Sequence, residues 1–174
     1  MLDMITRFKV IFALLVVLTF LINVQAQKTD LAPWFTLEPE GAGFTVLLPG
    51  AATEKIEKKA SYTLHAFIAT VGRATYVTSY SDYEPGKLDP ATALIANRDK
   101  FNKSLDATLT SSREITLSGH TGIEFISETP AHNVKSQIFL IGNRLFHIAT
   151  LVYKDVDETR NVDRFFQSFK FTPK

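Results

Sequence analysis

The sequence predicts an α+β fold, a mostly antiparallel sheet of five to eight strands with helices packed on its faces. Three observations predict it. Short β-rich runs alternate with turns marked by glycine and proline. Two helical patterns interrupt them, one after Asp89 and one after Asp155. Finally, the most apolar pair of runs, Gln137–Ile141 and Arg144–Tyr153, is apolar on both sides, so both faces of its sheet need cover.

Composition agrees with one folded domain. The 174 residues are 45% hydrophobic and 21% charged, contain no cysteine, and carry 19 Lys+Arg against 18 Asp+Glu. Those figures exclude a disulfide-stapled mini-protein, a cysteine-based zinc module and a polytopic membrane protein. The balanced charge argues against a nucleic-acid partner, which calls for a basic excess. Fourteen Phe, with five Tyr and Trp34, favour a well-filled interior built on strands.

Residues 1–26 read as a secretory signal. Arg7 and Lys9 precede the apolar run Val10–Ile22, and Val24 and Ala26 supply small residues at −3 and −1. Cleavage is expected between Ala26 and Gln27, with export to the periplasm or beyond the cell. The run is shorter than the ~20 residues of a spanning helix, although an uncleaved anchor is the alternative. Contact with a membrane is expected only through that segment. No cysteine follows the run, which excludes a lipid-anchored lipoprotein. Without residues 1–26 the chain is formally neutral.

A flexible lead is expected over 27–33, and a single domain over 34–174. Within it, Trp34–Glu40 precedes the turn Gly41-Ala42-Gly43, and Phe44–Leu48 is a compact strand stopped by Pro49-Gly50. Ala51–Ala60, with its mixed charges, reads as a solvated connection. Tyr62–Val71 alternates and breaks at Gly72-Arg73, and the pattern resumes at Thr75–Tyr80, which predicts a hairpin.

Asp89 as N-cap and Pro90 at the first position predict a helix whose stripe is Ala91, Leu94, Ile95, Phe101 and Leu105. Arg98 interrupts that stripe. Thr108–Thr110, Glu114–Leu117 and Gly122–Ser127 read as strands. Gly142-Asn143 joins the two apolar runs in a two-residue hairpin that sets Phe139 opposite Phe146 and Ile138 opposite His147. A second helix is expected from about Asp157 to Phe169, with Asp155 and Glu158 as a capping box and Val162, Phe165, Phe166 and Phe169 on its core side.

The order of these pieces resembles the PsbP-like fold, named for an extrinsic photosystem II subunit and shared by many small exported bacterial proteins of unknown role. The resemblance is carried by Gly43-Phe44-Thr45-Val46, Leu48-Pro49-Gly50, Leu117-Ser118-Gly119-His120-Thr121-Gly122-Ile123-Glu124, Gly142-Asn143-Arg144-Leu145-Phe146 and Arg164-Phe165-Phe166-Gln167-Ser168-Phe169. It covers nearly all of residues 34–171. What it implies is a PsbP-like αβα sandwich and a non-catalytic style of work, docking on a protein partner or assisting assembly. It assigns no binding residue.

No Walker A, HExxH, GxSxG or EF-hand pattern occurs, and Cys-dependent catalysis has no nucleophile. Gly41-Ala42-Gly43 lacks the third glycine of a dinucleotide loop and precedes a strand. No enzyme, catalytic residue, metal or cofactor is therefore predicted. His65, His120, His132 and His147 lack ligand spacing; His65 and His147, expected on adjacent strands, are the first pair to test for metal. Arg98 is expected to pair with Glu124 or Glu128, or else to hold an anionic ligand under the helix. The acid pairs Asp155/Asp157 and Glu38/Glu40 read as capping or loop acids. Trp34, Tyr76, Tyr80 and Tyr83 are expected to be packed in the sheet in preference to forming an exposed aromatic patch. The function expected is that of an exported partner-binding or assembly-assisting module of the cell envelope. The alternative is a small-ligand or metal-ion carrier with a pocket between sheet and helix.

Overall fold

The computed structural model describes residues 33–172. The expected signal segment, its cleavage site and all of the lead except Pro33 lie outside them. Among the described residues ten strands and two helices are formed: β1 Phe35–Leu37, β2 Phe44–Leu48, β3 Thr53–Lys58, β4 Tyr62–Val71, β5 Ala74–Tyr83, α1 Ala93–Leu105, β6 Thr108–Leu117, β7 His120–Glu128, β8 His132–Ile141, β9 Arg144–Tyr153, α2 Thr159–Ser168 and β10 Lys170–Phe171. Seven strands make one antiparallel sheet in the order β3-β4-β5-β9-β8-β7-β6, and β1-β2-β10 make a second, small one. The α+β prediction holds.

The β8–β9 hairpin has the predicted register, Phe139 opposite Phe146 and Ile138 opposite His147. Its loop is held by Gly142 at φ +58 while Asn143 stays outside the left-handed region. A positive φ at the first loop position alone is the type II′ pattern. The Ser118-Gly119 loop between β6 and β7 has both residues at positive φ, the I′ pattern.

Both faces of that hairpin are covered. On one, Phe139, Phe146 and Ile148 join Phe44, Val46 and Leu48 of β2, Phe165 of α2 and Phe169 at its end in a single core. Phe44 meets Phe67, Tyr80 and Phe146 edge-on and stacks on Phe169 at 5.5 Å; offset and edge contacts of this kind each add about 0.5–1.5 kcal/mol beyond burial. Ser168 secures α2 to β2, accepting the Leu47 N–H and donating to the Phe165 carbonyl. On the other face, Ile123, Phe125, Ile138 and Leu145 pack beneath Leu94 and Phe101 of α1. The helices thus occupy opposite faces, but α2 shares its face with the second, small sheet.

Five local expectations are corrected. Helix α1 starts at Ala93, not beside Asp89. The Asp89 carboxylate instead closes a preceding turn, accepting the Ala91 N–H and the Thr92 hydroxyl. The α1 stripe is also rotated: Ile95 is 44% exposed and Ala91 is exposed, while Asn102 is buried because Ser127 donates to it. At α2 it is Asp157 that accepts the Thr159 N–H; Asp155 pairs with Arg73, and Glu158 takes Asn161 and Tyr76. Thr53–Lys58, expected as a connection, is a solvent-exposed edge strand, and β6 is one strand with an irregularity between Leu109 and Ser111 in place of two.

Gly122 has a packing role. A Cβ there would lie 2.4 Å from the Phe139 ring and 2.5 Å from the Ile138 carbonyl oxygen. The missing side chain lets that ring lie across β7. We expect Gly122→Ala to cost roughly 1–3 kcal/mol by overpacking, read as a lower urea midpoint at unchanged slope.

Candidate functional site

The sheet face under α1 is hollow along one column. Ala66 of β4 and Ser79 and Ser81 of β5 put small side chains between bulkier neighbours, and the register brings Ser79 level with both Ala66 and His147. Small residues beneath a helix leave space, here a cleft of about 260 Å³. One end is polar. Tyr62 and Tyr83 are cross-strand partners with rings stacked at 4.8 Å, Lys100 donates to the Tyr62 hydroxyl at 3.3 Å, and Tyr83 donates to Asn97 Oδ1 at 3.4 Å. Burial raises the Tyr83 pKa, so its phenol stays protonated at neutral pH. Farther along, Phe101 stands edge-on to His147 at 4.4 Å. His147 Nε2 is sealed from solvent with no hydrogen-bond partner, and burial alone pulls the imidazole down to about 4.

The sequence candidates are dispersed. His65 and His147 are not on adjacent strands: β5 lies between β4 and β9, and the register places the two side chains on opposite faces. His65 stacks on Tyr80 at 4.6 Å beside Glu54, His120 packs on Phe171 and His132 on Tyr153. Among the described residues no three His, Cys, Asp or Glu converge as a metal site. Thr129 Oγ1 lies 3.2 Å from His132 Nδ1, but it also accepts the Ala131 and His132 N–H groups and so closes a turn.

Arg98 pairs with neither Glu124 nor Glu128. Its side chain is 15% exposed and donates to Asp99 Oδ1 at 2.8 Å and Ser112 Oγ at 3.1 Å, tying α1 to β6. Glu124 instead takes Arg113 and Gln137, and Glu128 takes Lys154. Glu124's pKa is lowered because the hydrogen bonds from Gln137 and Arg113, with the charges of Lys135 and Arg113, outweigh the opposing desolvation. Tyr76 and Tyr80 are core residues and Trp34 packs edge-on to Tyr76, so sheet packing accounts for these aromatics. Lys100 and Arg144 are not singled out by any sequence pattern. Arg144 grips Asp82 with two nitrogens, donates to the Gly41 and Ala42 carbonyls at 2.6 and 2.7 Å, and lies over the Tyr80 ring. An arginine after a hairpin turn carries no sequence signal of such a clamp.

The two sheet edges differ. In β3 four of the six residues, Glu54, Lys55, Glu57 and Lys58, are charged, the usual protection of an edge. In the ten residues of β6 only Arg113 and Glu114 are charged, and most of the strand is exposed. Among the described residues no strand pairs with its outer side. Beside it runs a groove of about 510 Å³ floored by Phe139, Phe166 and Phe169.

The architecture defined by this sheet, its two helices and its small second sheet is the PsbP-like fold. The structure is similar to the solution structure of cyanobacterial PsbP (CyanoP) from Synechocystis sp. PCC 6803, with a TM-score of 0.59 and 14% identity over 83% of this chain and 95% of that one. A crystal structure from Bacteroides thetaiotaomicron VPI-5482 aligns with a TM-score of 0.39 and 16% identity over 80% of this chain and 48% of that one. No protein-family model matches the chain. No curated protein matches it at a significant level.

His147 gives the domain a pH signature. Its unfolded counterpart titrates near 6.5, and its folded pKa is about 4. Above the unfolded value both states are neutral and the residue adds no slope. Between the two values only the unfolded chain takes the proton, so stability falls as pH falls, by up to roughly 3 kcal/mol below the folded value. We expect His147→Leu to show less loss of urea midpoint than the parent between about pH 7 and about pH 4.5. Lysine cannot reproduce the Arg144 fork, so Arg144→Lys is expected to cost about 1–3 kcal/mol, read as a lowered melting temperature.

Proposed function

We propose that this protein is an exported, non-catalytic accessory module of the cell envelope that docks a protein partner along β6. The observation that carries the reading is the contrast between the edges: β3 is guarded by charge, while β6 presents ten residues with little charge and an unpaired outer side. An extended segment of the partner adds to such an edge through main-chain hydrogen bonds, and the neighbouring groove takes alternate side chains. Arg113 at its rim, paired with Glu124, supplies polar register. The PsbP-like fold supports an accessory role in place of a catalytic one. Export rests on the pattern of residues 1–26.

Two measurements test this. The exported protein is expected to begin at Gln27 by intact mass; a full-length form in the membrane fraction would replace cleavage with anchoring. Envelope extract offered to the protein should yield one saturable partner whose binding protects β6 amides from hydrogen exchange. A variant with Glu114→Lys and Thr116→Lys should lose that partner while keeping its fold. Capture that is unchanged in the variant, or protection elsewhere than β6, would remove the docking edge.

A further inference from the structure

The cleft between the sheet and α1 is on the opposite face of the sheet from the β2 and α2 core, and partner docking along β6 makes no use of it. Its chemistry is one-sided. Lys100 is the sole formal charge in the lining, since His147 with its low pKa is neutral at physiological pH, and no carboxylate lines the space. Among the described residues Lys100 makes no ion pair; of its three donors one reaches the Tyr62 hydroxyl and its ammonium lies 5.3 Å from that ring's centre. A cation left without a counter-charge at the mouth of a cleft is electrostatic complementarity for an anion. Away from Lys100 the walls are Leu64, Val77, Phe101 and Leu145, with the His147 ring among them. The floor hydroxyl of Ser79 is turned back to the His147 carbonyl, so it does not ask for a polar ligand.

We propose that this cleft is a binding site for a small amphiphilic monocarboxylate, an aryl or short alkyl acid. Its carboxylate is held by the Lys100 ammonium and the Tyr62 hydroxyl, and its apolar body lies over Ala66 and Ser79 toward Phe101 and His147. The register sets the length. Tyr62 and Ala66 are four residues apart on one strand, about 13 Å at 3.3 Å per residue, which is room for a single ring or an alkyl chain of modest length. One charge selects one carboxylate: a second anionic group would lie away from Lys100, the sole cation of the lining, among neutral side chains. A cationic or neutral analogue of the same shape forfeits the Lys100 contact.

The test uses the purified protein with phenylacetate and hexanoate as probes, and phenethylammonium and benzyl alcohol as controls, followed by calorimetry and by the chemical shifts of the His147 ring. Saturable binding of phenylacetate, hexanoate or both, with a shift at His147, is expected; the stronger of the two identifies the ring or the chain as the favoured body. Lys100→Glu, on an exposed helix position, should keep the fold by circular dichroism and weaken either acid at least about tenfold. Ser79→Leu, which fills the floor, should abolish the His147 shift; if that variant does not fold, Lys100→Glu alone decides. Phenethylammonium binding as well as the acids, affinity indifferent to Lys100→Glu, or no saturable binding at millimolar acid would each overturn the site. The partner capture described above is read independently, so either proposal can fail while the other stands.

Discussion

Two-sided burial of the β8–β9 hairpin is the constraint on which the rest of the structure depends. Phe139, Phe146 and Ile148 point to one face of the sheet, and Ile138 and Leu145 to the other, and all are essentially removed from water. Each side chain of this size contributes about 1.5–3 kcal/mol only when fully covered, so a single-layer solution is unavailable. The chain answers with α1 on one side and with β2, α2 and Phe169 on the other. The pairing of β5 with β9 follows, since the apolar hairpin has to occupy the middle of the sheet with the exposed strands β3 and β6 at its edges.

The two covers differ in packing. The aromatic side is dense: Phe44, Phe139, Phe146, Phe169 and Phe171 form edge-on and stacked contacts with one another. The α1 side holds a buried polar pair, Ser127 and Asn102, an unpartnered His147 nitrogen and a cleft over small residues. Thr78 Oγ1 is orphaned on the aromatic face as well, so it is the under-filled cleft that sets the α1 side apart and gives up stability. Such concessions are commoner where a surface is used than where it only packs.

Much of this was open to reading from residues. Alternation in Tyr62–Val71, the Gly142-Asn143 loop and the phenylalanine spacing near the C-terminus identify the hairpins and α2, because period and turn chemistry are local. The errors are local signals that lost to tertiary partners. Asp89 is a good cap by type, yet its carboxylate serves the turn before α1. Asn102 is a poor core residue until Ser127 is opposite it. Thr53–Lys58 has too much charge to read as a strand, but pairing with β4 along one edge requires no buried face. The candidate sites were less legible still: Arg98 stood out because it broke a stripe, while Lys100, two residues on, sat among ordinary surface lysines.

By itself, then, the sequence determined the class of fold, the register of the central hairpin and the need for cover on both of its faces, since hydrophobic period and turn residues act within a few positions of chain. Tertiary structure decided the strand order, the separation of His65 from His147 by β5, the grip of Arg144 on Asp82 and the turn at Gly41 and Ala42, and the meeting of Lys100 with Tyr62. Those are encounters between residues far apart in the chain. Their geometry depends on how whole layers stack, and no local pattern of side chains encodes that.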